Sequence, residues 1–431
     1  MTVIRNTATV LLAGLALTVM GCDWDKYDPR LAEDAGPPVD DQSCGRIDIL
    51  ADDFEDGEGQ SQWGGYSSGG GASEAGGQLE LTSGTSTSHY GGFITDRYYD
   101  FREGSVAVEV TAVPDPATPS RLELHVRRND SQALVIRESG NELSFHKSVN
   151  GGAELGRIAF DANEHRWWRI RHEGQAVYWE VSPDGSSWSV IVEEQLDGLF
   201  DLDYVQVRLV LYSAGADPGT TASFDNVVTT GPGDGTWCDA SVLKDDFSDD
   251  EALDQWLHRR GSGGISAVRH NGQLTMSPVA GLEDGSYYAY IPSRLHDLSN
   301  SAISLEVIEV PKPPFTVYLR AAQGADSIRM ALSEGILSCS YSQEDGDTTV
   351  VEETFVPATH RWWRIRVDGE NAIHWEASTN GVAWSSVALT SPNPIEDLTA
   401  ADLRFGIDIP AMHEEPAGHA RFDNFNVRPQ P

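Results

Sequence analysis

One heptapeptide occurs twice in this chain without a change. His165-Arg166-Trp167-Trp168-Arg169-Ile170-Arg171 returns at residues 360–366. Other marks recur around it in the same order. Asp52-Asp53-Phe54 returns as Asp245-Asp246-Phe247, Trp63 as Trp256, and Gly77-Gln78-Leu79 as Gly272-Gln273-Leu274. Phe224-Asp225-Asn226 closes the first series and Phe422-Asp423-Asn424 the second. A unit this long is a domain; solenoid and propeller units are far shorter. The chain must therefore fold the same thing twice, over residues 45–230 and 240–431. Residues 231–239 join the copies, with the turn chemistry of Gly231, Pro232, Gly233 and Gly235.

Inside each copy the hydrophobic pattern has period two. Residues 105–110, 121–126 and 205–210 alternate apolar and polar, as do 302–308, 316–320 and 403–407 in the second copy. No convincing amphipathic helix is present. The pattern predicts an all-β chain of two tandem antiparallel jelly-roll sandwiches. The repeated motif opens a hairpin. A two-residue turn at Glu173 and Gly174 pairs Ile170 with Val177 and Trp168 with Trp179. A three-residue loop, Asp368 to Glu370, pairs Ile365 with Ile373 and Trp363 with Trp375. Four large apolar side chains then share each core face. The opposite face carries Trp167, Arg169, Tyr178 and Glu180, and in the second copy Trp362, Arg364, His374 and Glu376. Aromatic planes beside Arg and Glu suit the apolar faces and hydroxyls of sugars. The plainer reading is cross-strand pairing that stabilises an exposed sheet.

Composition sets the partners. Lys and Arg number 30 against 67 Asp and Glu, a formal net charge of -37, which repels nucleic acid and anionic membrane surfaces. With 12 Trp and 13 Tyr the chain is too aromatic for a disordered acidic polymer. Its N-terminus has Arg5 followed by an apolar run from Ala8 to Met20, too short to span a bilayer. The run ends at Val19-Met20-Gly21-Cys22, which resembles a bacterial lipobox. The resemblance implies that residues 1–21 are a signal peptide and that Cys22 is acylated. Residues 22–44 form an acidic tether around Pro37 and Pro38. The expected location is a bacterial envelope, facing the periplasm or exterior, with the membrane reached through the lipid alone. Oligomeric state is left open.

The order Asp-Asp-Phe, Trp, Gly-x-Leu, His-Arg-Trp-Trp-Arg-Ile-Arg, Tyr-Trp-Glu with an Asp-Gly turn, and Phe-Asp-Asn resembles the concanavalin A-like lectin/glucanase jelly rolls. It is similar above all to tandem copies in bacterial surface lipoproteins. The turn from Ser182 to Trp188 also resembles the Asp-box of sialidases, less one residue, and there the turn is structural. The resemblance implies a carbohydrate or surface-polymer ligand and no required cofactor. It places a structural Ca²⁺ at Asp225 and Asp423, with Asp53 and Asp246 from the opening segments, although each Asp also suits a turn cap. It implies that Cys44 and Cys238 close the first domain, Cys238 with Cys339 being the competing pair. Retaining glucanases of this fold carry Glu-x-Asp-x-x-Glu. No Glu here has an Asp two positions on, so the expectation is a chain without enzymatic activity.

Overall fold

The structure is a computed structural model. It describes residues 44–55, 62–84, 88–149, 151–195, 200, 202–213, 220–231, 237–248, 255–260, 265–279, 286–343, 346–395, 398–408 and 418–427. The expected signal peptide, acylation site Cys22 and tether before Cys44 lie outside the described residues, as does most of the joining segment.

The chain is all-β, and among the described residues there are strands and two short 3₁₀ turns but no α-helix. Each copy is a pair of antiparallel seven-stranded sheets. In the first copy, the front sheet runs Trp63–Ser68, Tyr90–Thr95, Gln206–Ser213, Ser120–Asn129, Gln132–Ser139, Glu142–Val149, Gly152–Ala159. The back sheet runs Ser189–Gln195, Ala176–Ser182, Trp167–Glu173, Ser105–Ala112, Thr221–Thr230, Leu79–Thr82, Gly71–Glu74. The second copy repeats both orders strand for strand. Two separate apolar cores result, one between each pair of sheets.

Trp168, Trp179, Trp363 and Trp375 are fully buried in those cores. Each removes about 4–6 kcal/mol worth of apolar surface from water, an upper figure because unfolded chains are not fully extended.

The repeated motifs turn out to be clips. The Trp168 indole donates to the His165 carbonyl at 3.1 Å, and Trp363 to His360 at 2.9 Å. The His165 and His360 rings each accept a backbone N–H four residues upstream. Asp52 and Asp245 accept the amide of Phe54 and Phe247, holding those residues at positive φ. Asn226 and Asn424, also at positive φ, donate to Glu109 and Glu306 at 2.7 Å. What the copies share is what the fold needs.

The hairpin register differs from expectation by two residues. The turn lies at Gly174 and Gln175, so Ile170 pairs with Trp179, Trp168 with Val181 and Arg169 with Glu180. In the second copy Ile365 pairs with Trp375 and Arg364 with Glu376. A two-residue slip preserves every face, so the core side chains stay in the core.

The disulfide between Cys44 and Cys238 does not close one domain. Cys238 sits in a two-residue strand beside His296 and Asp297, within the second copy. Gly45, next to Cys44, accepts the Asp100 amide of its own copy, and a Cβ there would lie 3.3 Å from Arg294 of the second. The bond therefore ties the opening segments of the two copies together. Nearby, Arg97 of the first copy pairs with Asp402 of the second at 2.7 Å, and Arg294 of the second donates to the Asp203 carbonyl of the first. Cys339 is a buried free thiol.

Candidate functional site

The copies diverge on the outer face of the front sheet. Leu122, Leu124 and Val126 point into the first core, so period-two alternation turns Arg121, Glu123, His125 and Arg127 outward. Glu123 is nevertheless 1% exposed, covered by the long side chains of its own face.

Glu123 is the hub. It accepts from His125 at 2.6 Å and Arg137 at 2.5 Å, and pairs with Arg121 at 3.0 Å. Arg208 approaches the other His125 nitrogen at 3.2 Å. A guanidinium can only donate, so Nδ1 of His125 accepts and Nε2–H donates to Glu123. The protonation states agree with that assignment. Burial opposes ionisation of Glu123, but the His125 bond and the Arg137 and Arg121 charges hold its carboxyl at about 2. Burial, then the Arg208 charge, pushes His125 down to about 4, so the imidazole is neutral near pH 7.

Register extends this hub into a band across the sheet. Tyr66 stacks on Tyr90 at 4.5 Å, and Tyr90 tilts against Tyr212 at 5.6 Å. Tyr212 pairs with Arg121, whose guanidinium lies 4.6 Å over its ring, while Arg208 lies 4.8 Å over Tyr66. Glu123 faces Arg137, Arg137 faces Ser144, and Ser144 faces Arg157. At that end the band opens into a cleft of about 350 Å³ lined by Arg121, Arg137, Arg157, Ser144, His146 and Glu154, among others. Arg157 is held from both sides, by Glu154 at 2.7 Å and by Glu142. His146 bonds Ser144 at 2.8 Å, and burial with the Arg137 charge pushes its pKa down. The cleft thus presents donors and acceptors side by side, and its Arg121 stacks on the Tyr212 ring.

The second copy keeps Arg404 at the place of Arg208 and Ser338 at that of Ser144, but not the hub. At the positions of Glu123, His125 and Arg137 stand Tyr318, Arg320 and Ala331. Opposite Ser338, where the first copy has Arg157, stands Glu352. Period-two alternation over residues 121–126 marks the strand but does not distinguish its polar half from a solvated face. The available signal was the failure of Arg121, Glu123 and His125 to recur where the surrounding alternation does.

The back-sheet strip anticipated from sequence lies elsewhere. Arg169 bonds Glu180 at 2.5 Å and stacks 4.0 Å over Trp188; Arg171 also reaches Glu180 and covers Tyr178 at 4.2 Å. Arg364 repeats this with Glu376 at 2.6 Å and Trp384 at 4.2 Å. His374 bonds Asp368 at 2.5 Å. Glu180 is 2% exposed and Trp362 is 3% exposed. The indoles of Trp167 and Trp362 lie under the following turns. A Cβ on Gly185 would sit 2.9 Å from Trp167, and one on Gly381 2.8 Å from Trp362, and both glycines have positive φ. The strip's polar groups are engaged with one another.

The aspartates expected at a calcium site occupy turns. Asp53 accepts from the Glu55 amide, Asp246 from Ser248, and Asp225 and Asp423 from the amides that follow them. Burial raises Asp225, as do Glu109, Glu55 and Asp53, and burial with Glu306 and Asp246 raises Asp423 to about 6. Among the described residues no three acidic, imidazole or thiol side chains gather as a metal set.

Neither a family model nor a curated protein sequence matches this chain. Solved structures do resemble it. One is the catalytic domain of an endo-1,3-beta-glucanase (laminarinase) from Thermotoga petrophila RKU-1, with TM-score 0.34 and 10% identity, covering 42% of this chain and 95% of that one. The laminarinase catalytic domain from Thermotoga maritima MSB8 gives 0.34 and 11%, covering 42% and 96%. A laminarinase from Flavobacterium sp. UMI-01 gives 0.34 and 11%, covering 42% and 98%. At such identities the likeness is one of fold. The expectation of a chain without enzymatic activity is corrected by these neighbours, which are glycoside hydrolases. Lack of one carboxylate motif does not separate this chain from enzymes, and the likeness carries no catalytic residue to it.

Proposed function

We propose that this chain is a carbohydrate-binding protein of a bacterial envelope, anchored by a lipid on Cys22, and that the outer front face of its first copy holds the glycan. The supporting observation is the band of tyrosine rings, guanidinium groups and carboxylates that crosses the front sheet from Tyr66 to Arg157 and ends in the cleft. Rings offer a stacking surface to sugar faces, and adjacent Arg and Glu groups match hydroxyl donors and acceptors. The signal-peptide and lipobox residues support the location.

Two experiments test the reading. Cys22→Ala should move the full chain from the membrane to the soluble envelope fraction; continued lipid labelling would refute the anchor. The soluble form is then titrated with laminarin, xylan and pectate by calorimetry. Arg157→Ala, which removes an exposed side chain paired among the described residues with Glu142 and Glu154, is expected to weaken the retained ligand by at least about tenfold, the scale of one lost charge-assisted contact. Trp167→Ala should leave affinity in place. Equal binding by Arg157→Ala and the parent would move the site elsewhere. Reducing-end release from the same panel reports whether the bound glycan is also cut.

A further inference from the structure

The second copy builds a different feature on the same sheet. Arg404, Arg320 and Arg329 stand directly opposite one another on three adjacent strands, Asp402–Asp408, Thr316–Gln323 and Asp326–Ser333. The side chains inward of them, Leu403, Leu319, Ile328 and Met330, belong to the core, so all three guanidiniums share the outer face. Like charges directly opposite destabilise a sheet. The flanking pair is compensated: Arg404 bonds Asp402, and Arg329 bonds Asp408 at 2.6 Å while lying 4.9 Å from the Tyr318 ring. Asp402 is already shared with Arg97 of the first copy at 2.7 Å.

Arg320, in the middle, makes no ion pair among the described residues, and its buried Nε, like those of Arg329 and Arg404, has no hydrogen-bond partner there. The first copy resolves the same position differently, with the neutral His125 between Arg208 and Val135. Four guanidiniums against two carboxylates make this a basic patch on a chain of net charge -37.

We propose that the Arg404–Arg320–Arg329 row is an oxyanion-binding site that takes the sulfate or carboxylate group of an acidic polysaccharide. A planar guanidinium presents paired N–H donors to two oxygens of such a group, and three in a row provide donors that the two aspartates do not exhaust. The bound anion supplies the charge that the middle strand lacks. The site is independent of the glycan cleft in the first copy.

The test uses the full chain carrying Cys22→Ala, titrated with sodium sulfate, dextran sulfate and uncharged dextran at fixed ionic strength. Dextran sulfate should bind the parent, Arg320→Met should weaken it at least about tenfold, and Arg320→Lys should recover part of the loss. Without anion, Arg320→Met should melt no lower than the parent, because it removes the middle of three like charges. Sulfate binding without dextran sulfate binding overturns the polysaccharide clause and leaves the reading of the first copy untouched. Equal affinity of Arg320→Met and the parent for both anions overturns the site. So does a fall in its anion-free melting temperature matched by Arg320→Gln, which would show Arg320 to be held within the fold.

Discussion

Replacing Glu123 by alanine is expected to destabilise the first copy by about 3–5 kcal/mol, the range for removing one partner from a buried ionic group. The substitution leaves Arg121 and Arg137 around one spot without the carboxylate they share, and strips His125 of its acceptor. For a unit of this size the loss corresponds to a melting shift on the order of 10 °C. Its pH dependence has a definite sign. The folded Glu123 carboxyl is held at about 2 against 4.5 when unfolded, so its contribution is complete above pH 4.5 and disappears as pH falls towards 2. His125, pushed from 6.5 to about 4, acts in the same direction, because the unfolded state takes up its proton first. Calorimetric melting between pH 7 and pH 3 should therefore show a steep acid limb in the parent and a flatter one in Glu123→Ala. A variant that melts within about 2 °C of the parent at pH 7 would mean that the network contributes little.

The second large effect runs the opposite way. Glu138 is 1% exposed, and its cross-strand neighbours are Leu122 and Leu143. One carboxylate oxygen accepts the Asn141 amide at 3.1 Å; the other has no partner among the described residues. Burial raises its pKa to about 7, the Asn141 bond holding it lower than burial alone would. The second copy has Leu332 between Val317 and Leu337 at this place. The folded state binds the proton more tightly than the unfolded one, so stability falls as pH rises from 4.5 through 7. Glu138→Leu should stabilise the chain on the order of 2 kcal/mol more at pH 8 than at pH 5. Urea unfolding at the two pH values measures this. An equal gain at both would show that the carboxyl is ionised throughout.

Much of the fold was legible because the chain writes it twice. Period-two runs and a recurring His-Arg-Trp-Trp-Arg-Ile-Arg identify strands, core tryptophans and a tandem sandwich, since both copies must satisfy the same packing. Hairpin register was not legible to better than two residues. Turns at Glu173 and Gly174 or at Gly174 and Gln175 keep every side chain on the same face, so hydrophobic pattern cannot choose between them. The bridging role of Cys238 was likewise hidden. Its position in the chain suits the end of the first copy, whereas strand pairing assigns it to the start of the second.

Local patterns repeated along the chain establish the strand-rich unit and its duplication, because both copies meet one packing requirement. Where the two copies part company depends on which strands the fold sets side by side. Glu123, His125 and Arg137 lie on neighbouring strands, but Arg208 joins them from 83 residues beyond His125. Arg320 and Arg329 meet Arg404 in the same way, across a sheet whose adjacent strands are distant in sequence. A polar residue on an alternating strand looks the same whether it faces water or a buried carboxylate. Strand order, which no short-range pattern encodes, makes the difference.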